Sequence, residues 1–390
     1  MNIPREIQDF AAQLTAWRRD IHRHPELGFK EQRTSQFVAE QLAAAGCEVH
    51  TGIGGTGVVG VLRAGGGNRS IGLRADMDAL PISEENVFAH CSTNDGVMHA
   101  CGHDGHTTML LGAARYLAAT RHFDGVVHFI FQPAEEGLGG ARAMIEDGLF
   151  ERFPCESVYG MHNWPGMPVG RFGTRSGPLL AGGALFDITV NGRGAHGAFP
   201  HQSRDPVLCA SEMVISLQRI VSRCFNPLEP GVVSVTMLRG GDAYNVIPQC
   251  AAIGGTARAF SRAGLELIEA EMRRVAEGVA GAHGVSAQVD YRLTFAPTVN
   301  SEREAQLACD AAAELVGEEH VDRNHHLLSG SEDFSFMLES RPGAFILIGN
   351  GEDAAPVHSS RYEFDDRILA LGSALYARLA ERELGRGGVD

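Results

Sequence analysis

The chain has 390 residues, of which 44% are hydrophobic and 21% are charged, and its net charge is −15. This length predicts two domains with enough apolar residues for their cores, and the negative charge disfavours nucleic acid and anionic membranes as partners. No apolar run reaches the ~20 residues of a spanning helix and the N-terminus lacks the apolar core of a signal peptide, so we expect a cytoplasmic protein.

In the first part of the chain, helical and strand periodicity alternate. This pattern predicts an α/β domain with a mixed, largely parallel sheet flanked by helices. A helix that ends at about Ile21 is followed by a second from about Glu31 to Ala45. Next come predicted strands at residues 58–64 and 70–76, a helix at 106–120 and a buried strand at 125–132.

From Leu185 the pattern becomes that of a smaller α+β domain. The predicted elements follow the order β-α-β-β-α-β of a ferredoxin-like unit, with helices over about Asp205–Arg223 and Leu265–Ala282. Glycines before this segment and an Ala-Pro pair after it are plausible hinges.

The remaining chain returns to an α/β pattern and ends in a predicted helix over Asp365–Glu383. The simplest arrangement is therefore a discontinuous domain of residues 1–184 and 297–390. The ferredoxin-like domain, residues 185–296, is inserted into it.

Four segments rich in Cys, His or Glu follow predicted strands or tight loops, where α/β sheets bind their ligands. These are residues 99–106 (HACGHDGH), 132–137 (QPAEEG), 159–164 (YGMHNW) and 356–359 (PVHS). Thiolate, imidazole and carboxylate together suit Zn²⁺, Mn²⁺, Co²⁺ or Ni²⁺ better than Ca²⁺ or Mg²⁺. The sequence therefore predicts a site for one of these metals.

Within these segments the spacing allows close approach. Cys101 and His103 are separated by a glycine that permits a tight turn, so both can reach one ion. The adjacent Glu135 and Glu136 repel each other unless a cation or a proton lies between them.

Two further acids belong to the predicted site. Asp76 and Asp78 follow a predicted strand in LRADMDALP. We expect them to orient and polarise a ligand imidazole rather than to bind metal directly.

A competing pattern is formed by Gly52, Gly54 and Gly57, which match the GxGxxG sequence of dinucleotide-binding proteins. In those proteins the pattern opens a helix whose N-terminus binds the pyrophosphate. Here the β-type run VVGVL follows, so we interpret the glycines as a connection between strands.

Seven motifs, spread in order over essentially the whole chain, resemble those of the M20 metallopeptidase family. The similarity is to its subfamily of hippurate hydrolases, auxin-conjugate hydrolases and N-acyl-amino-acid amidohydrolases. The motifs are RRDIHRHPELGFKE, LRADMDALP, HACGHDGHT, FQPAEEG, GRGAHGAFPH, NVIP and SEDFSFM.

This resemblance implies hydrolysis of the amide bond of N-acyl amino acids by a pair of divalent metal ions, with Glu135 as the general base. The metal ligands that it implies are Cys101, His103, Glu136, His162 and His358. It also implies that the inserted domain is a lid that pairs two subunits, in a homodimer or a homotetramer.

The residue chemistry fits that reaction. Two cations lower the pKa of water towards neutrality, and Glu135 can take its proton and return it to the leaving amine. His196 in the inserted domain is the expected donor to the tetrahedral oxyanion, as the resemblance also implies. Asn245 and Arg258, expected on strands of the same domain, can bind the free carboxylate of the substrate, Arg258 through a bidentate fork.

Two departures from the subfamily pattern bear on substrate specificity. SGSEDF stands where Gly-Gly-Glu-Asp-Phe is more usual, and Arg204 replaces a residue that is usually less bulky and either uncharged or acidic. Neither departure falls on an implied ligand.

Other functions remain open at this stage. A cysteine hydrolase could use Cys101 with His103, but residues two apart in a tight loop are poorly placed as nucleophile and base. A non-catalytic metal-binding protein would keep the ligands without needing Glu135. Among hydrolases, a dipeptidase or carboxypeptidase of the same family is the next candidate.

Overall fold

The computed structural model describes residues 1–385, which form two compact units. Unit 1 contains Met1–Leu179, Val299–His326 and the chain from Asp333 onward. Unit 2 contains Leu180–Thr298 and Leu327–Glu332. The segment expected as the inserted domain, residues 185–296, lies within unit 2.

The elements in chain order up to the start of unit 2 are α1 (Arg5–Asp9), α2 (Ala11–Arg23), α3 (Gln32–Ala44), β1 (Glu48–Ile53), β2 (Gly57–Ala64), β3 (Ser70–Asp76), α4 (His103–Thr120), β4 (Gly125–Gln132), α5 (Gly140–Glu146), α6 (Leu149–Arg152), β5 (Ser157–Trp164), β6 (Phe172–Gly173) and β7 (Gly177–Leu180). Those that follow within unit 2 are β8 (Gly182–Asn191), β9 (Ala195–His196), α7 (Pro206–Leu217), β10 (Gly231–Arg239), β11 (Val246–Ile247), β12 (Cys250–Ala259), α8 (Arg262–His283) and β13 (Ser286–Phe295). The last are β14 (Thr298–Asn300), α9 (Glu302–Val316), β15 (Val321–Asp322), α10 (Ser335–Ser340), β16 (Gly343–Gly349) and α11 (Leu369–Glu383).

Unit 1 is built on an eight-stranded sheet in the order β1-β2-β4-β3-β5-β16-β6-β15. The four central strands, β4, β3, β5 and β16, are parallel neighbours, whereas β1 and β2 add antiparallel pairs at one end. Every residue of β3, β4 and β16 is buried, as expected of a parallel sheet covered on both faces. The predicted α/β class with a largely parallel sheet is confirmed.

The strand order places a topological switch point at β3. The chain leaves β3 through α4 to reach β4 on one side, and then returns through α5 and α6 to β5 on the other side. Because the four central strands are parallel, their carboxyl ends meet at one edge of the sheet, where ligands bind in such folds.

Two details of unit 1 bear on the sequence interpretation. The first helix, predicted as continuous to about Ile21, is instead two helices that break at Phe10, where φ is −114° and the ring packs against the Arg115 guanidinium. The glycine-rich GxGxxG segment joins the antiparallel strands β1 and β2, with Ile53 paired to Gly57. It opens no helix, which agrees with its interpretation as a strand connection.

Unit 2 has a four-stranded antiparallel sheet in the order β10-β12-β8-β13. With α7 and α8 this is the ferredoxin-like arrangement that the sequence predicts. The α7 helix begins where Asp205 accepts hydrogen bonds from two backbone N–H groups and Pro206 occupies the first turn. Phe186 and Ile188 of β8 share a buried core with Ile268 of α8.

Across residues 1–385, no helix combines the length and the apolar character that crossing a membrane requires.

Candidate metal centre

The candidate site lies at the carboxyl edge of the central strands of unit 1. The implied ligands reach it from four places: the start of α4 (Cys101, His103), the loop after β4 (Glu136), the end of β5 (His162) and the loop after β16 (His358). Gly102 lets the first of these segments turn tightly, with φ of 91° and no space for a Cβ atom beside the Asn163 side chain.

The structure brings all five implied ligands together in two sets that share one residue. Ligand atoms of Cys101, His103 and His162 lie within 4.8 Å of one another, as do those of Cys101, Glu136 and His358. Cys101 Sγ is 3.3 Å from His162 Nε2, and His358 Nε2 is 3.2 Å from Glu136 Oε1. The donor set therefore fits two neighbouring divalent cations, and Cys101 belongs to both candidate ligand sets.

Hydrogen bonds on the far side of two imidazoles orient them for coordination. His103 Nδ1 is 3.2 Å from Asp78 Oδ1, and His162 Nδ1 is 2.6 Å from the Asn163 carbonyl oxygen, so Nε2 of each ring faces the cluster. His103 Nε2 is buried and has no hydrogen-bond partner among the described residues. A buried, unpartnered ring nitrogen beside a thiol fits a metal ligand.

The protonation of the cluster also favours a cation. Burial, together with the nearby Glu136 and Glu135 carboxylates, raises the pKa of the Cys101 thiol well above its usual range. Burial opposes a charge on His103, but Asp76 and Asp78 outweigh it and raise the pKa of this imidazole to about 10. A cation can displace these protons, whereas without one Cys101 stays a thiol and is a poor nucleophile.

Asp76 and Asp78 take different positions in the structure. Asp78 contacts His103 with one oxygen and accepts a hydrogen bond from the Glu136 N–H with the other, at 3.0 Å. Asp76 Oδ2 lies 3.8 Å from His103 Nε2, and Asp76 hydrogen bonds instead to His106 at 2.6 Å and to Arg74 at 2.7 Å. Although burial opposes it, the charges of His103, Arg74 and His106 hold the pKa of Asp76 well below its usual range.

His106 and Asn163 are parts of the site that the sequence analysis missed. His106 Nε2 is 2.7 Å from Asn163 Oδ1, so the two residues connect Asp76 to the strand that carries His162. The available signal was the spacing of His106, three residues after His103 and thus on the same face of α4.

Glu135 is buried beside the ligands, and its carboxylate lies within 4.8 Å of the ligand atoms of His103 and Glu136. Its Oε1 accepts a hydrogen bond from the Asp333 N–H at 3.2 Å. Asp333 is itself fixed, because its carboxylate accepts hydrogen bonds from the Gln132 side chain and the Ala141 N–H. The SEDF motif thus anchors the residue expected as general base.

The remaining candidates lie in unit 2. His196 is exposed on β9, where it pairs with Val246 of β11. Its Nδ1 accepts a hydrogen bond from the Ala198 N–H at 3.1 Å, which leaves the ring proton on Nε2 and makes that atom a donor. Asn245 is next to it, because its carbonyl accepts a hydrogen bond from Gly197.

The expected strand position of Asn245 is wrong, since the residue lies in the turn that precedes β11. That strand has only two residues, Val246 and Ile247, and the chain must first reverse direction to pair with β9.

Arg258 lies on β12 as expected and is half-buried. Its Nη1 donates a hydrogen bond to Ser331 Oγ, and the Ser331 hydroxyl donates to the Ala181 carbonyl at 2.8 Å. Burial lowers the pKa of Arg258, and no carboxylate among residues 1–385 forms a salt bridge with it.

The sequence model of peptidase family M20/M25/M40 matches residues 72–382. The chain is 42% identical to a hippurate hydrolase of Campylobacter jejuni, over 98% of this chain and 100% of that protein. It is 40% identical to the IAA-amino acid hydrolase ILR1-like 2 of Arabidopsis thaliana, over 94% and 84% of the two chains. It is 36% identical to thermostable carboxypeptidase 1 of Saccharolobus solfataricus, over 97% and 96%.

Solved structures are also similar. The YXEP protein of Bacillus subtilis, a dinuclear metal binding peptidase from the M20 family, superposes with a TM-score of 0.85 at 34% identity, over 97% of this chain and 99% of that chain. A protein of methicillin-resistant Staphylococcus aureus superposes with a TM-score of 0.93 at 32% identity, over 97% and 98%.

Proposed function

The chain belongs to peptidase family M20/M25/M40, and from this premise we propose that it hydrolyses the amide bond of N-acyl amino acids. The products are a carboxylic acid and a free amino acid, and the reaction depends on two divalent metal ions. The observation that carries the proposal is the pair of ligand sets that share Cys101, with Glu135 beside them.

The proposed ligands are Cys101, His103, Glu136, His162 and His358. Their mixture of thiolate, imidazole and carboxylate supports Mn²⁺, Zn²⁺, Co²⁺ or Ni²⁺. When bound, the metals supply Lewis acidity, which makes hydroxide available near neutral pH and polarises the scissile carbonyl.

Glu135 is the proposed general base. Its carboxylate can remove a proton from the attacking water and return that proton to the nitrogen of the leaving amino acid. The hydrogen bond from the Asp333 N–H holds one oxygen of this carboxylate beside the proposed ligands. Glu136, whose N–H is held by Asp78, serves instead as a ligand.

His196 is the proposed donor to the tetrahedral oxyanion, because its proton is on the exposed Nε2. We propose that unit 2 is a lid that pairs two copies of the chain, in a homodimer or a homotetramer. Supporting this, α7 exposes Leu208 and Ile215, and the edge strand β10 exposes Met237 and Leu238. Such apolar surface at a sheet edge suits two-fold pairing.

Arg258 and Asn245 are the proposed contacts for the α-carboxylate of the substrate. A half-buried guanidinium without a carboxylate partner in the described chain favours a carboxylate ligand. A small-molecule N-acyl amino acid supplies one.

We also propose that the protein works in the cytoplasm. All eight cysteines lie within the described residues and all are free thiols. Free cysteines are usual in reducing compartments.

The deciding experiment is a substrate panel on metal-loaded protein: hippurate, N-acetyl-amino acids, indoleacetyl-amino acids, dipeptides and N-blocked peptides. We expect the highest kcat/KM of the panel for a substrate of one of the first three classes. The second candidate, a dipeptidase or carboxypeptidase, is favoured by the similarity to the carboxypeptidase of Saccharolobus solfataricus. Preference for dipeptides or N-blocked peptides would replace the first proposal by the second.

A further inference from the structure

The segment that carries the proposed general base has a strained backbone. Ala134 directly precedes Glu135, is fully buried and has φ of 54°, in the left-handed region that L-amino acids disfavour. Such a conformation persists only where surrounding contacts enforce it. Residues 133–137, here named the base loop, therefore depend on contacts that hold Ala134.

Glu31 makes the most direct of these contacts. Its Oε1 accepts a hydrogen bond from the Ala134 N–H at 2.9 Å, and its Oε2 accepts one from the Thr56 hydroxyl at 2.5 Å. The Glu31 side chain is fully buried. It therefore satisfies a backbone donor that would otherwise be buried without a partner.

The Glu31 side chain does not cap α3, the helix that follows it. Within the described chain its side chain makes no capping hydrogen bond to α3, although it stands immediately before that helix. Glu26 takes that role, since its carboxylate accepts hydrogen bonds from the N–H groups of Arg33 and Thr34. The Glu31 carboxylate thus accepts hydrogen bonds from Ala134 and Thr56 rather than from the N–H groups of α3.

The packing around Ala134 agrees with a fixed position. Gly28, from the same segment as Glu31, comes so close that a Cβ atom on it would lie 3.0 Å from Ala134 Cα. On the other side, the Gly140 N–H donates to the Ala134 carbonyl at 3.0 Å. Both peptide groups of Ala134 are therefore held.

We propose that Glu31 is a positioning residue for the general base: its carboxylate keeps Ala134 left-handed and thereby aims Glu135 at the reacting water. The inference rests on the proposed function, because it takes Glu135 as the base. Removing the acceptor leaves the Ala134 N–H buried and unpaired, and relaxation of Ala134 then displaces Glu135. A displacement of about 1 Å costs on the order of 10²-fold in rate.

The first test compares the kcat of Glu31→Ala and Glu31→Gln on an N-acyl amino acid that the wild type hydrolyses. Glu31→Ala should lower kcat on the order of 10²-fold, with KM and metal content near those of the wild type. Glu31→Gln keeps an oxygen that accepts from the Ala134 N–H, and its amide NH2 can donate to the Thr56 hydroxyl oxygen, so kcat should stay within about threefold of wild type. An equal loss in both variants would overturn the proposal.

A second-site variant tests the strain itself. Glycine adopts a left-handed φ at no steric cost, so adding Ala134→Gly to Glu31→Ala should recover about tenfold in kcat, the scale of one left-handed residue. The matched control is Glu26→Ala, which loses hydrogen bonds at the start of α3 but none to the base loop. It should lower the Tm and leave kcat unchanged. Absence of rescue by glycine, or a kcat loss in Glu26→Ala equal to that of Glu31→Ala, contradicts the proposal.

Hydrogen exchange separates this inference from the proposed function. In Glu31→Ala the amides of the base loop should exchange at least about tenfold faster than in the wild type, whereas those of β3 and β4 should not change. If the wild type hydrolyses no N-acyl amino acid, the proposed function fails and the exchange result alone decides the positioning role. If the wild type is active and Glu31→Ala matches it in both kcat and exchange, only the positioning role fails.

Discussion

Cys101 Sγ lies 3.3 Å from His162 Nε2, although the two residues are 61 apart in the chain. This contact brings the segment before α4 and the end of β5 together at a cluster in which burial and the Glu136 and Glu135 carboxylates raise the pKa of the Cys101 thiol, so that a cation is needed to displace its proton. We therefore expect prolonged chelation to abolish amide hydrolysis and to lower the Tm, since metal binds the folded state. Mn²⁺, Zn²⁺, Co²⁺ or Ni²⁺ should restore both. Full activity in protein shown by elemental analysis to be free of metal would disprove the metal centre.

The adjacent acids Glu135 and Glu136 should respond differently to the same substitution. Glu135→Gln keeps the shape but removes the base, so kcat should fall on the order of 10²–10⁴-fold while metal content stays near that of the wild type. Glu136→Gln removes a ligand and should lower metal content. Kinetics and elemental analysis on both variants decide the matter, and the reverse pattern would mean that their roles are exchanged.

Ser331 should tune substrate affinity through Arg258. Its hydroxyl accepts a hydrogen bond from the guanidinium, so Ser331→Gly frees Arg258 and should raise KM for N-acyl amino acids about fivefold, the effect of one hydrogen bond, with little change in kcat. Ser329→Ala, at an exposed position of the same segment, is the control. A substrate whose carboxylate is amidated should have the same KM with Ser331→Gly as with the wild type. If Ser331→Gly also raises the KM of the amidated substrate, Arg258 does not bind the carboxylate.

The free energy of unfolding should depend on pH through His128. Burial lowers the pKa of His128 from 6.5 to about 4. Between these two pH values His128 is protonated in the unfolded chain but neutral in the folded chain. The free energy of unfolding is therefore unaffected by protonation of His128 above pH 6.5. It decreases as the pH drops towards 4, by no more than about 3 kcal/mol. His128→Gln can keep the hydrogen bond to the Pro154 carbonyl without titrating. Denaturant unfolding at several pH values should therefore give a shallower slope for the variant, and parallel slopes would contradict the prediction.

His196 should act across a subunit interface. His196→Ala should cost on the order of 10²–10³-fold in kcat, as loss of an oxyanion donor does. Mixing His196→Ala with Glu135→Gln under conditions of subunit exchange creates dimers in which one site combines both intact residues. Activity should recover towards about a quarter of wild type, because half of randomly assorted dimers are mixed and each has one good site. Verified exchange without recovery would place His196 in the site of its own chain, or in none.

The parts of this site that were predictable from sequence are those with distinctive chemistry. Cys101, His103 and Glu136 stand in short segments whose residue types already indicate a metal, and the periodicity of the strands places those segments at one sheet edge. The ferredoxin-like order of unit 2 was equally visible, because its four long strands and two helices have clear periodicity, whereas the two-residue strands β9 and β11 are too short to show one.

The supporting residues were not predictable in the same way. Glu31 stands where a helix cap is expected, and its partner Ala134 is distant in the chain. The contact between Arg258 and Ser331 likewise joins separate segments. Such pairs depend on the tertiary fold, which local pattern and propensity do not encode.

The parallel pairing of β16 with β5, which sets Gly343 beside Val158, has a consequence for the order of events on the ribosome. The elements β8–β13 of unit 2 form a continuous stretch and can fold as soon as they emerge. The sheet of unit 1 must wait for β16, and the proposed ligand His358 is made later still. A nascent chain that stalls after unit 2 therefore has an assembled ferredoxin-like unit but an incomplete metal-binding cluster. In such a chain the ligand set of Cys101, Glu136 and His358 stays incomplete.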